Sequence, residues 1–181
     1  KIGLEDGGLI DAFYAQASDD LAAHVFWFAA RILRESVLPP EMEERLLKLV
    51  EHRIVNGATH PHEMESFGSL FATEKLDATW SLQRLRETLE ISPTSEPDHM
   101  VIETLSKLAP DHPQIVLENT SRLVDGADAD WKLQYWSPHL RAIIQTASQN
   151  GAAEQADALI NKLAAKNLHS FRDLLSGGQK E

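Results

Sequence analysis

The sequence predicts an all-α domain, and three observations predict it. Apolar residues recur at i, i+3, i+4 and i+7 through nearly the whole chain, the spacing that lines one face of a helix. No stretch alternates apolar and polar residues with β-branched enrichment, and no Asn-Gly turn joins two such stretches. Proline, serine and aspartate punctuate the periodic segments, at places where helix starts favour them.

The first clear helix follows Ser18 or Asp19 as N-cap, with Leu21, Val25, Phe28 and Ile32 as its inward stripe. Val37-Leu38-Pro39-Pro40 ends it. The second puts Met42, Leu46, Val50 and Ile54 on one face, with Glu41, Glu43 and Glu44 near the positive end of its dipole. Asn56-Gly57 reads as its C-cap. A third helix starts near Pro61 and runs through Phe71; a fourth spans 77–89 and turns Leu82, Leu85 and Leu89 inward. Val101, Leu105 and Leu108 make the next stripe, and Val116, Thr120, Leu123 and Val124 the one after. A polar loop at 125–130, DGADAD, leads into a helix over 131–148 whose Leu140, Ile143, Ile144 and Ala147 face the core. Ala156, Leu159, Ile160 and Leu163 form a further stripe, and a short helix over 171–175 closes the chain.

The count comes to roughly nine or ten helices in one α-helical domain over 1–181, less regular over 1–60 and arranged as helix pairs over 61–176. Between 77 and 166 the pairs recur at a period of roughly 35–40 residues, the range of HEAT-like and armadillo-like repeats. An irregular α-solenoid is the expected architecture, with an orthogonal helical array as the fallback.

At 181 residues and 43% apolar, the chain can bury a substantial core. Its apolar runs are short, as in VFWFAA at 25–30, against the ~20 residues a membrane helix needs. The opening KIGLEDGG lacks the apolar stretch of a secretory signal, and it lacks an initiator Met. The expectation is a C-terminal fragment of a longer cytoplasmic protein. The absence of cysteine excludes disulfides and thiolate metal sites.

A net charge of −11, from 17 basic and 28 acidic residues spread over both halves, opposes the positive field that phosphate binding needs. Arg31, Arg34, Arg84, Arg86, Arg122 and Arg141 would have to gather on one side, yet their helices also carry acids. Neither nucleic acid nor membrane is an expected partner.

Two Pro-Asp-His triplets, at 97–99 and 110–112, look chemical at first sight. Helix punctuation explains both: Pro97 and Asp98 suit a first turn, and Asp111 or His112 can cap a helix that begins at Pro113. In ATHPHEMES, His60 and His62 are two apart with a proline between, unlike the one-turn spacing by which two imidazoles share a face in His-Glu-x-x-His zinc sites. Thr59 or His60 as cap, Pro61 at the first position and Glu63 and Glu65 after it explain the same letters. Glu96-Pro-Asp-His99 matches the Glu-x-x-His element of di-iron bundles but has no second copy. Phosphate-binding glycine loops and nucleophile elbows are absent. No catalytic residue, metal ligand or cofactor is therefore expected. The competing reading is a small metal-dependent hydrolase drawing His52, His60, His62, His99 and His112 together.

The aromatics divide differently. Trp27 and Trp80 lie inside apolar stripes and read as core. Trp131, Tyr135 and Trp136 cluster after the DGADAD loop, and the favoured reading packs at least Trp131 and Tyr135 under the preceding helix pair. Any of the three that is exposed would instead give a docking patch rimmed by Asp125, Asp128 and Asp130, suited to a basic or amphipathic protein segment.

Phe67-Gly68, Trp80, Pro97-Asp98, Trp136 and Phe171-Arg172-Asp173-Leu174 follow a recurrent pattern. Through them residues 63–176 resemble the C-terminal helical region of large bacterial multidomain proteins, many with NTPase or antiphage-defence-like effector modules upstream. The resemblance implies a HEAT-like tail without activity of its own, serving protein–protein recognition or assembly.

Overall fold

A computed structural model of the chain describes residue 12 and residues 15–176. Among them are eight α-helices: α1 Asp19–Glu35, α2 Pro40–Val55, α3 Pro61–Phe71, α4 Ala78–Ile91, α5 Asp98–Leu108, α6 Pro113–Gly126, α7 Asp130–Gln149 and α8 Ala153–Ala165. Short 3-10 turns at Gly57–Thr59 and His169–Leu174 complete the described chain, which contains no strand. The fold is all-α.

Two of the starts carry side-chain caps, the expected one at Ser18 and one at Asp77, which the sequence prediction places inside its helix. Ser18 Oγ accepts the Leu21 N–H at 3.2 Å, and Asp77 Oδ1 accepts the Trp80 N–H at 2.8 Å, each satisfying a donor that the helix itself cannot. Four other starts differ. His60 and His112 occupy the N-cap positions before Pro61 and Pro113 but make no side-chain cap hydrogen bond. Neither do Pro39 and Pro97. A fixed proline φ and one fewer N–H to satisfy help set these starts.

Each helix packs on the next but one. α1, α3, α5 and α7 make one succession of contacts, and α2, α4, α6 and α8 another. Consecutive helices from α5 onward also touch, and the closing turn rests on α8 and α7. The buried stripes of the C-terminal two thirds are those the periodicity predicts. Leu82, Leu85, Leu89, Val101, Leu105, Val116, Leu123, Leu140, Ile143, Ile144, Leu159 and Leu163 are all buried. Each such side chain contributes about 1.5–3 kcal/mol relative to exposure.

The N-terminal helices depart from the prediction. α1 buries Ala22, Phe26, Ala29, Ala30 and Leu33, while Leu21, Phe28 and Ile32 of the expected inward stripe are exposed. The reason lies in α3: small alanines let the two helices approach closely, and Phe26 meets Phe67 edge-to-face at a centroid distance of 5.7 Å. On α2, Val50 and Ile54 are buried but Met42 is exposed. Trp27, expected in the core, is 45% exposed. Trp80 is half-buried, and its Nε1 donates to Glu51 Oε1 at 2.9 Å.

Between α4 and α5 the chain is held in a tight clasp. The Glu96 N–H donates to the Glu65 carbonyl at 2.7 Å, and the Ser92 and Thr94 hydroxyls donate to Glu65 Oε1 at 3.0 and 2.8 Å. Glycine makes the approach possible at both jaws. A Cβ on Gly68 of α3 would lie 2.6 Å from the Glu96 carbonyl oxygen, and one on Gly126 at the end of α6 would lie 2.0 Å from that of Pro93.

Candidate functional site

The aromatic cluster of α7 divides in two. α6 runs on through Gly126, so the linker before α7 is only residues 127–129, and the expected six-residue loop is largely helix. This sets the phase at which α7 meets α5 and α6. Trp136 lands inward with Leu133 and Leu140 and is 3% exposed, so it is core and not a docking residue. Trp131 and Tyr135, one helical turn apart, land outward and are each 64% exposed, which overturns their packing under the preceding pair. Tyr135 meets the exposed His99 of α5 edge-on at 6.5 Å, extending the aromatic surface across two helices.

The expected anionic rim is present but partly neutralised. Asp125 binds Lys162 Nζ at 2.5 Å. Lys132 bridges Asp128 at 3.1 Å and Asp98 at 3.6 Å, and these partners raise its pKa, led by the hydrogen bond it donates to Asp128. Asp130, in the first turn of α7, has no ion pair with any described residue. The patch thus offers two aromatic faces, one imidazole and at least one uncommitted carboxylate.

The histidines point elsewhere. His62 Nδ1 lies 3.1 Å from Glu65 Oε2, and the resulting hydrogen bond raises the imidazole pKa. Burial pushes Glu65 up, but hydrogen bonds from Thr94, His62 and Ser92 outweigh it and leave that carboxyl below its ordinary range. His60 lies 3.6 Å from Asp19, across to α1. Glu63 is fully buried against Arg53 of α2, with paired contacts of 3.0 and 2.7 Å. Among the described residues no group of three His, Cys, Asp or Glu side chains converges as a metal site.

One Ser–His contact was not legible in the sequence. Ser106 Oγ lies 3.3 Å from His139 Nδ1 and donates to the Glu103 carbonyl at 2.7 Å, so a backbone acceptor competes with the imidazole for its proton. A groove of about 490 Å³ lies between α1, α3 and residues 96–97. Its His24 Nδ1 donates to the Asp20 carbonyl, Ser66 Oγ to that of Glu63 and Ser69 Oγ to that of Glu96. Burial, then the nearby Asp98, raises the pKa of Glu96 at its rim. The groove brings no hydroxyl to an imidazole and gathers no pair of carboxylates.

The arginines that a nucleic-acid surface would need are committed to carboxylates. Arg31 pairs with Glu35, Arg84 with Glu87, Arg86 with Glu118, Arg122 with Glu90 and Arg141 with Asp173. Arg34 instead donates to the Ser69 carbonyl at 3.1 Å. Several of these pairs bridge helices of one row: Arg86 and Arg122 tie α4 to α6, and Lys162 ties α8 to α6. No helix of the described residues is long and apolar enough to cross a membrane.

The chain matches no family model, and it has no significant similarity to a curated protein or a solved structure. What can be said of its activity rests on the geometry above.

Proposed function

We propose that the chain is a non-enzymatic helical-repeat module for protein–protein recognition or assembly, a cytoplasmic part of a larger bacterial multidomain protein. One observation carries the reading: Trp131 and Tyr135 are each 64% exposed on a helix whose remaining large apolar side chains are buried. Exposed large aromatics in register, beside a polar rim, are the usual composition of a contact hot spot. The next-but-one packing of the two helix successions supports an irregular α-solenoid, in which equivalent helices present one continuous surface. The uncommitted Asp130 and the net acidic chain favour a basic amphipathic segment as the partner. Arginines already paired with carboxylates speak against nucleic acid.

The test is a titration of the chain with a basic amphipathic helical peptide, followed by tryptophan emission. Binding should shift the Trp131 component to the blue, weaken as salt rises, and fall by roughly tenfold or more in Trp131→Ala with the melting temperature unchanged. Absence of binding, or binding by Trp131→Ala and Tyr135→Ala as tight as the parent's, would discard the patch.

A further inference from the structure

The exposed stripe of α1 has an internal symmetry that the aromatic patch of α7 lacks. Leu21, Val25, Phe28 and Ile32 are spaced four, three and four residues apart, so the stripe reads the same in both directions about its midpoint. Three of them, Leu21, Phe28 and Ile32, are 47–53% exposed, and the fourth is half-buried. This is the alternating spacing of a two-helix seam. No described helix covers it, since α1 gives its other side to α3.

We infer that this face is the interface of a homodimer, in which α1 of one copy lies antiparallel on α1 of the other across a two-fold axis. An isologous contact requires a self-complementary surface, and this one is self-complementary in two respects. In the first place, the two-fold sets Leu21 against Ile32 of the second copy and Val25 against Phe28, twice each, so every apolar side chain meets another. Charge agrees as well. Asp20 immediately precedes Leu21 and Arg31 immediately precedes Ile32, so both lie on the same flank of the stripe. In an antiparallel pair like flanks meet, which brings Asp20 of each copy towards Arg31 of the other. Arg31 is exposed and pairs only along its own helix, with Glu35 at 3.0 Å, leaving the rest of its guanidinium fork for a second carboxylate.

Sedimentation of the full chain over a range of concentrations tests the inference. The expected result is a reversible monomer–dimer equilibrium that Phe28→Asp shifts to monomer while its melting curve at low concentration stays that of the parent. Arg31→Asp should weaken the dimer, and Asp20→Arg combined with Arg31→Asp should restore it, an outcome that lost helicity alone would not give. Because the chain has no cysteine, orientation can be read directly. Chains carrying Leu21→Cys should cross-link to chains carrying Ile32→Cys and not to themselves. A monomer at all concentrations, a dimer indifferent to Phe28→Asp, or cross-linking of Leu21→Cys to itself would each overturn the inference.

Discussion

Among the described residues α1 and α7 stand at opposite ends of one succession of helices, and both expose aromatic side chains for different reasons. α7 is packed by α5, α6 and α8, and what it leaves outside is two aromatics on an otherwise buried apolar set. α1 rests on α3, and it leaves outside a whole stripe. The first pattern is a local hot spot on a finished surface. The second is an unfinished core. A helix at the end of a stack buries one face well, and the face it buries is chosen by its neighbour and not by its hydrophobicity.

That contrast predicts where mutations hurt. The largest effects should fall on the buried ion pair that joins α2 to α3. Glu63→Ala removes the bidentate carboxylate from the buried Arg53, and should cost about 3–5 kcal/mol by chemical denaturation. A loss below about 1 kcal/mol would mean that the N-terminal helices are not part of the same cooperative unit.

On α7 itself, Trp136→Ala should cost about 3–5 kcal/mol as a truncated core aromatic. Trp131→Ala, five residues earlier, should stay within about 0.5 kcal/mol of the parent. Similar losses for both would place Trp131 in the core and remove the distinction. Gly126→Ala should fall between them, at about 1–3 kcal/mol, because the added Cβ must displace the Pro93 carbonyl. Its thermal unfolding should return to the parent value if the clasp is in fact absent.

The smallest effect concerns pH. The His62 pKa is raised in the fold, so its contribution is complete below the ordinary imidazole value and is lost as pH rises through the raised one. Glu65 is lowered, so its contribution is complete above the ordinary carboxylate value and is lost as pH falls through the lowered one. The pair therefore contributes most in mildly acidic solution. Melting temperatures of the parent and His62→Gln should differ most there and converge above neutrality. A constant difference across pH would show that the imidazole charge is not involved.

The local code was legible where sequence neighbours decide the outcome. Pro61 and Pro113 open α3 and α6, Ser18 caps α1, and the stripes from Leu82 to Leu163 are buried as their spacing requires, with Leu108 only half-buried. Legibility fell where two faces of one helix compete. On α1 the residues that pack are three alanines, Phe26 and Leu33, and not the stripe of Leu21, Val25, Phe28 and Ile32. On α7 the inward stripe is the expected one, yet Trp131 and Tyr135, predicted to pack under the preceding helix pair, lie off it and reach solvent. Nor does any spacing announce that Glu65 gathers Ser92 and Thr94, or that Arg53 finds Glu63 inside the protein.

The sequence by itself determined that this chain is helical, where most of its helices begin and which faces of α4 to α8 turn inward, because those outcomes depend on backbone propensity and a period of 3.6 residues. Only the tertiary structure decided which aromatics reach solvent, which carboxylates are paired and where an apolar surface is left over. Those depend on how closely and at what rotation each helix meets its neighbours, and small side chains such as Ala29, Gly68 and Gly126 set that approach without leaving a mark in the hydrophobic pattern.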